Sequence, residues 1–230
     1  MINKKRPLPA LPAYTRGEER FNMITHIVGG GIGVLALVAC VIVAAVNRNV
    51  WGVVSGSVYG ACVILLFTMS SVYHGLRREA PKKVLRVIDH CTIFILIAGT
   101  YTPITLCRFR ELHPADAWVI FGAIWALAAL GIALNSVDIK RFKVFSLFCY
   151  LGMGWMIMFR INLLVSALGG AFFALLLTGG VLYTAGVIFY AKGKKKKYMH
   201  SVFHLFVNFA SIIHSVAIAV FIMPGSGAAG

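Results

Sequence analysis

A chain of 230 residues that is 60% hydrophobic and only 13% charged departs on both counts from a soluble domain, which has about 45–50% apolar and about 25% charged residues. The net charge of +15 does not mark a nucleic-acid binder, because the Lys and Arg residues fall in short clusters between long apolar runs and not on one soluble face. Composition therefore excludes an ordinary soluble enzyme and points to a membrane, with basic clusters beside an anionic leaflet.

In chain order, the first twenty residues are polar and contain Pro7, Pro9, Pro12, Glu18 and Glu19. They hold no short apolar segment with a small-residue cleavage site, so the first apolar run is expected to remain in the mature protein. Runs free of Asp, Glu, Lys and Arg then cover residues 27–46, 52–73, 91–107, 117–137, 144–159, 161–191 and 201–223. A span needs about 20 apolar residues to cross about 30 Å of hydrocarbon. The third and fifth runs are short and reach full length only with interfacial helix added, at 84–88 and near Arg160; a re-entrant pair is the alternative. The expected fold is an all-α membrane protein with seven transmembrane helices: a cytoplasmic tail at 1–21, the helical domain at 22–223 and a short external tail at 224–230.

Charge sets the orientation. With the N-terminus inside, the inner segments carry 18 of the 22 basic residues and the outer ones carry Arg48, Arg108, Arg110 and Arg160. That asymmetry predicts a cytoplasmic N-terminus and an external C-terminus. Gly29 and Gly33 on the first span and Gly52, Gly56 and Gly60 on the second form small-residue ladders suited to close helix contact. Pro103, late in the third span, predicts a kink or a helix end. The cysteines, Cys40, Cys62, Cys91, Cys107 and Cys149, are odd in number, scattered and free of any CxxC pair, which reads as apolar packing and not as a disulfide framework or thiolate metal site.

An ionisable residue within a span is costly and needs a partner. His74 closes the second span, Asp89 and His90 open the third, and His200 and His204 open the seventh. The alternating topology brings these ends to one depth near the cytoplasmic face. His200 and His204, four apart, share a helix face. Two imidazoles at that spacing with a third from another helix can hold one metal, and three histidines leave a fourth tetrahedral position for water, as in catalytic zinc sites. Asp89 is then placed to accept a proton from that water, and Ser70, one turn before His74, to bond the imidazole or a reacting oxygen. The bland reading stays open at this point: an HxxxH pair arises easily among seven histidines, Asp89 can pair with Arg86 or Lys83, and a serine in a span most often bonds its own backbone. His26 and His90 occupy the same layer, and His214 lies about 15 Å deeper than His204; core hydrogen bonding is the expectation for all three.

Several of these segments resemble the bacterial hemolysin III family: Glu18-Glu19-Arg20-Phe21-Asn22 with Thr25-His26, Ser70 to His74, Asp89-His90-Cys91, Ala98 to Pro103, Lys143 to Leu147 with Tyr150 and Gly152-Met153-Gly154-Trp155, and His200 with His204. That family is similar to the progestin and adipoQ receptors and more distantly to alkaline ceramidases. The resemblance implies a seven-helix protein of the bacterial inner membrane with Zn2+ on His74, His200 and His204, and with Ser70 and Asp89 in catalytic positions. It implies a membrane lipid as partner and a lipid amide as candidate substrate of a hydrolase. The alternative is a non-enzymatic, receptor-like or regulatory protein of membrane homeostasis or cytolysis, with structural zinc. No amphipathic secreted segment of a pore-former is present.

Overall fold

The computed structural model describes residues 11–193 and 196–225; residues 1–10 of the expected cytoplasmic tail, Lys194 and Lys195 of the last basic cluster, and 226–230 of the expected external tail lie outside the described residues. The described residues form helices and connecting turns, with no strand among them. The helices are α1 (Arg16–Val46), α2 (Val50–Gly75), α3 (Glu79–Pro103), α4 (Pro114–Asp138), α5 (Lys143–Trp155), α6 (Ile161–Lys192) and α7 (Met199–Phe221). Six stretches are long and apolar enough to cross a membrane.

The first helix starts at Arg16, within the expected tail, because Thr15 and Glu18 close a capping box. The Glu18 N–H donates to Thr15 Oγ1 at 3.2 Å, and the Thr15 N–H donates to Glu18 Oε2 at 2.8 Å, which satisfies donors that a helix start leaves open. A three-residue turn leads to α2, capped by Asn49, whose Oδ1 accepts the Gly52 N–H at 2.8 Å. The two helices then pack along the predicted glycine face. A Cβ on Gly60 would stand 2.5 Å from Leu37 Cβ, one on Gly56 3.0 Å from Cys40 Cβ, and one on Gly52 2.9 Å from Ala44 Cβ. Bare glycine lets the two backbones approach and gain dispersion contacts that hydrocarbon chains cannot otherwise better.

Pro103 does end regular α-helical bonding. The ring lacks an N–H, and the chain continues as a π-helix over Ile104–Phe109 before a last α turn at Arg110–Leu112. The apolar stretch Glu79–Leu112 therefore runs 34 residues, well beyond the short third run read from the sequence.

The stretch Lys143–Lys192 is 50 residues long. A straight helix of that length would extend about 75 Å, more than twice the hydrocarbon thickness. It is not straight. A 3₁₀ segment at Met156–Arg160 follows α5, and Gly169 inside α6 takes φ 78° and ψ 169°. Contacts run antiparallel about that glycine: Lys143 Nζ lies 6.0 Å from the Tyr190 ring centroid, and Trp155 Nε1 donates to Thr184 Oγ1 at 3.0 Å. The reversal thus falls at Gly169, not at the Arg160 break between the two expected runs. Arg160 instead pairs with Asp116 at 2.9 Å.

The bundle has two distinct rims. At one, Arg110 Cζ lies 4.3 Å from the Trp51 ring, and Trp51 packs on Trp118 at 6.3 Å, an aromatic layer of the kind found at membrane interfaces. At the other, the starts of α1, α3 and α7 meet the end of α2, because α1 packs against both α2 and α7. All five cysteines are free, as the sequence reading expected.

Candidate metal centre

Two helix ends deliver the three histidines. His74 stands on the last turn of α2, and His200 and His204 on the first turns of α7, one above the other. Their ligand atoms lie within 4.8 Å of one another, and all three residues are buried. His200 Nε2 and His204 Nε2 are 2.9 Å apart. His74 reaches them from across the interface, its ring centroid 5.0 Å from that of His204 and 5.6 Å from that of His200.

The hydrogen bonding of His74 says which nitrogen is available. Its Nδ1 lies 2.6 Å from Glu19 Oε2. A carboxylate only accepts, so Nδ1 is the donor. In the neutral ring a proton on Nδ1 leaves Nε2 with a lone pair, and Nε2 is buried with no hydrogen-bond partner among the described residues. An orphaned, buried, basic nitrogen beside two further imidazole nitrogens suits a divalent metal with borderline-soft character such as zinc. The donor set therefore fits the group that the histidine spacing suggested.

Glu19 was not among the expected site residues. It sits on the first turn of α1, and its other oxygen accepts from Lys82 Nζ at 2.6 Å, while that ammonium also donates to the Leu76 carbonyl at 3.1 Å. Lys82 is only 8% exposed. The signal was present as Glu18-Glu19 before the first apolar run, but two acidic residues at a helix start are ordinarily explained by the helix dipole alone. Glu18 and Asn22 also bind across to the α7 segment. The Tyr198 N–H donates to Glu18 Oε1 at 2.7 Å, and Ser201 Oγ donates to Asn22 Oδ1 at 2.7 Å.

The remaining expected residues divide. Ser70 is buried one turn before His74. Asp89 is not one of the converging ligands; α3 already begins at Glu79, so Asp89 does not open the helix as expected but sits half-buried ten residues into it, with Oδ2 3.9 Å from His90 Nδ1. Lys83, one candidate partner for Asp89, pairs with Glu79 at 2.5 Å. His90 and His214 make core hydrogen bonds as expected, to the Arg86 carbonyl at 2.9 Å and the Leu176 carbonyl at 3.1 Å. His26 does not. It is 3% exposed, neither ring nitrogen has a partner among the described residues, and its ring lies 4.1 Å from that of His204. The expectation fails because the facing positions of α2 and α7 offer Phe67 and the His204 ring in place of a carbonyl. Tyr14, just ahead of α1, stacks on His200 at 4.9 Å with an interplanar angle of 14°. Burial lifts its phenol above the ordinary range, so it lies there uncharged.

Comparison with known proteins gives the family. The family described as Haemolysin-III related matches residues 14–215. The chain belongs to the haemolysin III family. The "Hemolysin-3 homolog" of Bacillus subtilis (strain 168) is 38% identical over 194 residues, 84% of this chain and 89% of that protein. "Hemolysin-3" of Bacillus cereus is 36% identical over 207 residues, 90% of this chain and 93% of that protein. The human "Monocyte to macrophage differentiation factor" is 28% identical over 225 residues, 94% of this chain and 90% of that protein. No solved structure matches. The haemolysin III match begins at Tyr14 and takes in every residue described above around the three histidines. Together with the six long apolar stretches, it makes this chain a multi-span membrane protein.

Proposed function

We propose that this haemolysin III protein crosses the bacterial cytoplasmic membrane seven times with its N-terminus inside, holds one zinc ion on His74, His200 and His204, and hydrolyses the amide bond of a membrane lipid. The observation that carries the metal assignment is the convergence of three buried imidazoles, one with its Nε2 left without a partner by the Glu19 bond. Bound on three histidines, zinc supplies Lewis acidity and a water of lowered pKa. The protein's own part is to hold the histidines on two helix ends, to offer Asp89 as the carboxylate that takes a proton, and to offer Ser70 as a hydroxyl near the reacting oxygen. The basic residues Arg77, Arg78, Lys82, Lys83 and Arg86 at the α2–α3 junction, and Lys192, Lys196 and Lys197 ahead of α7, flank the same rim and suit an anionic inner leaflet, which supports placing the site on the cytoplasmic side.

One observation favours the second reading, a receptor-like or regulatory protein with structural zinc. Tyr14 lies over His200, and the His26 ring is packed on His204, so aromatic rings cover the triad on two sides. Asp89→Asn separates the readings. Under hydrolysis the variant keeps its zinc and loses turnover, and lipid profiles of cells carrying it show a lipid amide that wild-type cells do not accumulate. Identical lipid profiles with full complementation would sink the hydrolase and leave the regulatory protein.

A further inference from the structure

We propose that Glu19 is the positioning residue of the metal centre: it fixes the tautomer of His74 and thereby sets metal affinity, while Lys82 holds the Glu19 carboxylate away from the metal. The inference rests on the three-histidine zinc reading and adds a residue and a mechanism to it.

The geometry is specific. Each Glu19 oxygen has its own partner: Oε2 faces His74 Nδ1 at 2.6 Å, and Oε1 faces Lys82 Nζ at 2.6 Å. An imidazole can bind a metal through Nε2 only when its proton resides on Nδ1, and an acceptor at Nδ1 enforces that state. A carboxylate is the strongest such acceptor, and it raises the basicity of the ligand. A free glutamate 2.6 Å from a zinc ligand is itself a competent zinc ligand. The Lys82 ammonium, itself anchored on the Leu76 carbonyl at 3.1 Å, engages the second oxygen and keeps Glu19 behind the histidine. The three groups come from the starts of α1 and α3 and the end of α2, so the contact forms only when those helix ends are assembled.

Glu19→Gln tests this, because the amide keeps the shape and changes the chemistry. Lys82 takes the amide oxygen, which turns the NH2 group towards His74 Nδ1 and favours the tautomer with its proton on Nε2, where zinc must bind. Zinc affinity, measured by chelator competition on purified protein in detergent, is expected to fall about 10–100-fold, the usual loss for such a supporting group. The double variant Glu19→Gln with Lys82→Met frees the amide oxygen for His74, and it should bind zinc more tightly than Glu19→Gln alone. Melting temperature of the zinc-free protein separates positioning from a structural role. Positioning leaves it near the wild-type value and reduces only the gain on adding zinc. Wild-type zinc affinity in Glu19→Gln, no recovery in the double variant, or an equal drop in melting temperature with and without zinc each overturns the role of Glu19 alone. A wild-type protein that binds no zinc removes the metal centre as well.

Discussion

Two hydrogen-bonding patterns distinguish His74, a candidate ligand, from His214, a packing group. His214 has its Nε2 on the Leu176 carbonyl at 3.1 Å, and it fills the space over Gly179, where a Cβ would stand 2.3 Å from the ring. Its hydrogen-bonding need is met inside the core. His74 has one nitrogen met and one open. His74→Ala or His204→Ala should therefore abolish zinc binding, read as metal content of the purified protein falling from about one zinc per chain to background. His214→Ala should retain the metal and lose stability, since it opens a cavity and leaves the Leu176 carbonyl without its donor, at a cost of about 1–3 kcal/mol. Gly179→Ala should do the same by the opposite route, pressing a methyl group into the His214 ring, with a similar loss of about 1–3 kcal/mol. Retention of zinc by His74→Ala would reassign the ligand set, with His26 next in line by position. The histidine triad was legible because spacing and alternating topology fix depth along the membrane normal. Glu19 was not, because its partner His74 is 55 residues away and nothing local distinguishes it from Glu18 beside it.

The first two turns of α1 supply none of the three converging histidines, yet they touch both elements that do. Glu18 receives the Tyr198 N–H, Asn22 receives Ser201, and Glu19 receives His74 and Lys82. These bonds set where α7 begins and how the end of α2 faces it. The α1–α2 pairing therefore matters to the site, although its glycine face lies deeper in the bundle. At Gly60 the added methyl of Gly60→Ala would meet Leu37 Cβ at 2.5 Å and backbone Cα at 2.7 Å, and backbone cannot step aside as a side-chain tip can. The two helices must separate, at an expected cost of about 1–3 kcal/mol. The measurable outcome is a lower melting temperature together with faster loss of zinc to a chelator. Gly152→Ala, where a Cβ would meet nothing within 4 Å, serves as the control and should change neither. The glycine ladder could be read from sequence because small residues at a four-residue spacing have few other uses in a membrane helix. The π segment after Pro103 could not, since proline announces a break and not the hydrogen-bonding pattern that follows it.

At the scale of the whole molecule, the number of crossings turns on Lys143–Lys192. The sequence placed a boundary at Arg160 because a charge interrupts an apolar run, and charges ordinarily mark the membrane surface. The folded chain satisfies that charge with Asp116 and makes its turn nine residues later, at an uncharged glycine pair. Gly169 is suited to it, since φ 78° with ψ 169° is a backbone region that side-chain-bearing residues avoid. The consequence is a test of orientation that hydropathy alone cannot supply. If the stretch doubles back, Lys143 and Lys192 lie on one side of the membrane, Gly170 lies on the other, and the chain crosses seven times. If it crosses once, Lys143 and Lys192 lie on opposite sides and the total is six. Membrane-impermeant thiol labelling distinguishes the two. With the N-terminus inside, Gly170→Cys should react in intact spheroplasts, whereas Lys140→Cys and Lys196→Cys should both react only after lysis. A reporter fused after Met223 should read as external. Reaction of Lys196→Cys in intact spheroplasts, with Lys140→Cys protected, would give six crossings. It would also move the first turns of α7 to the outer face and separate His200 and His204 from His74, so the labelling pattern and the zinc stoichiometry must stand or fall together.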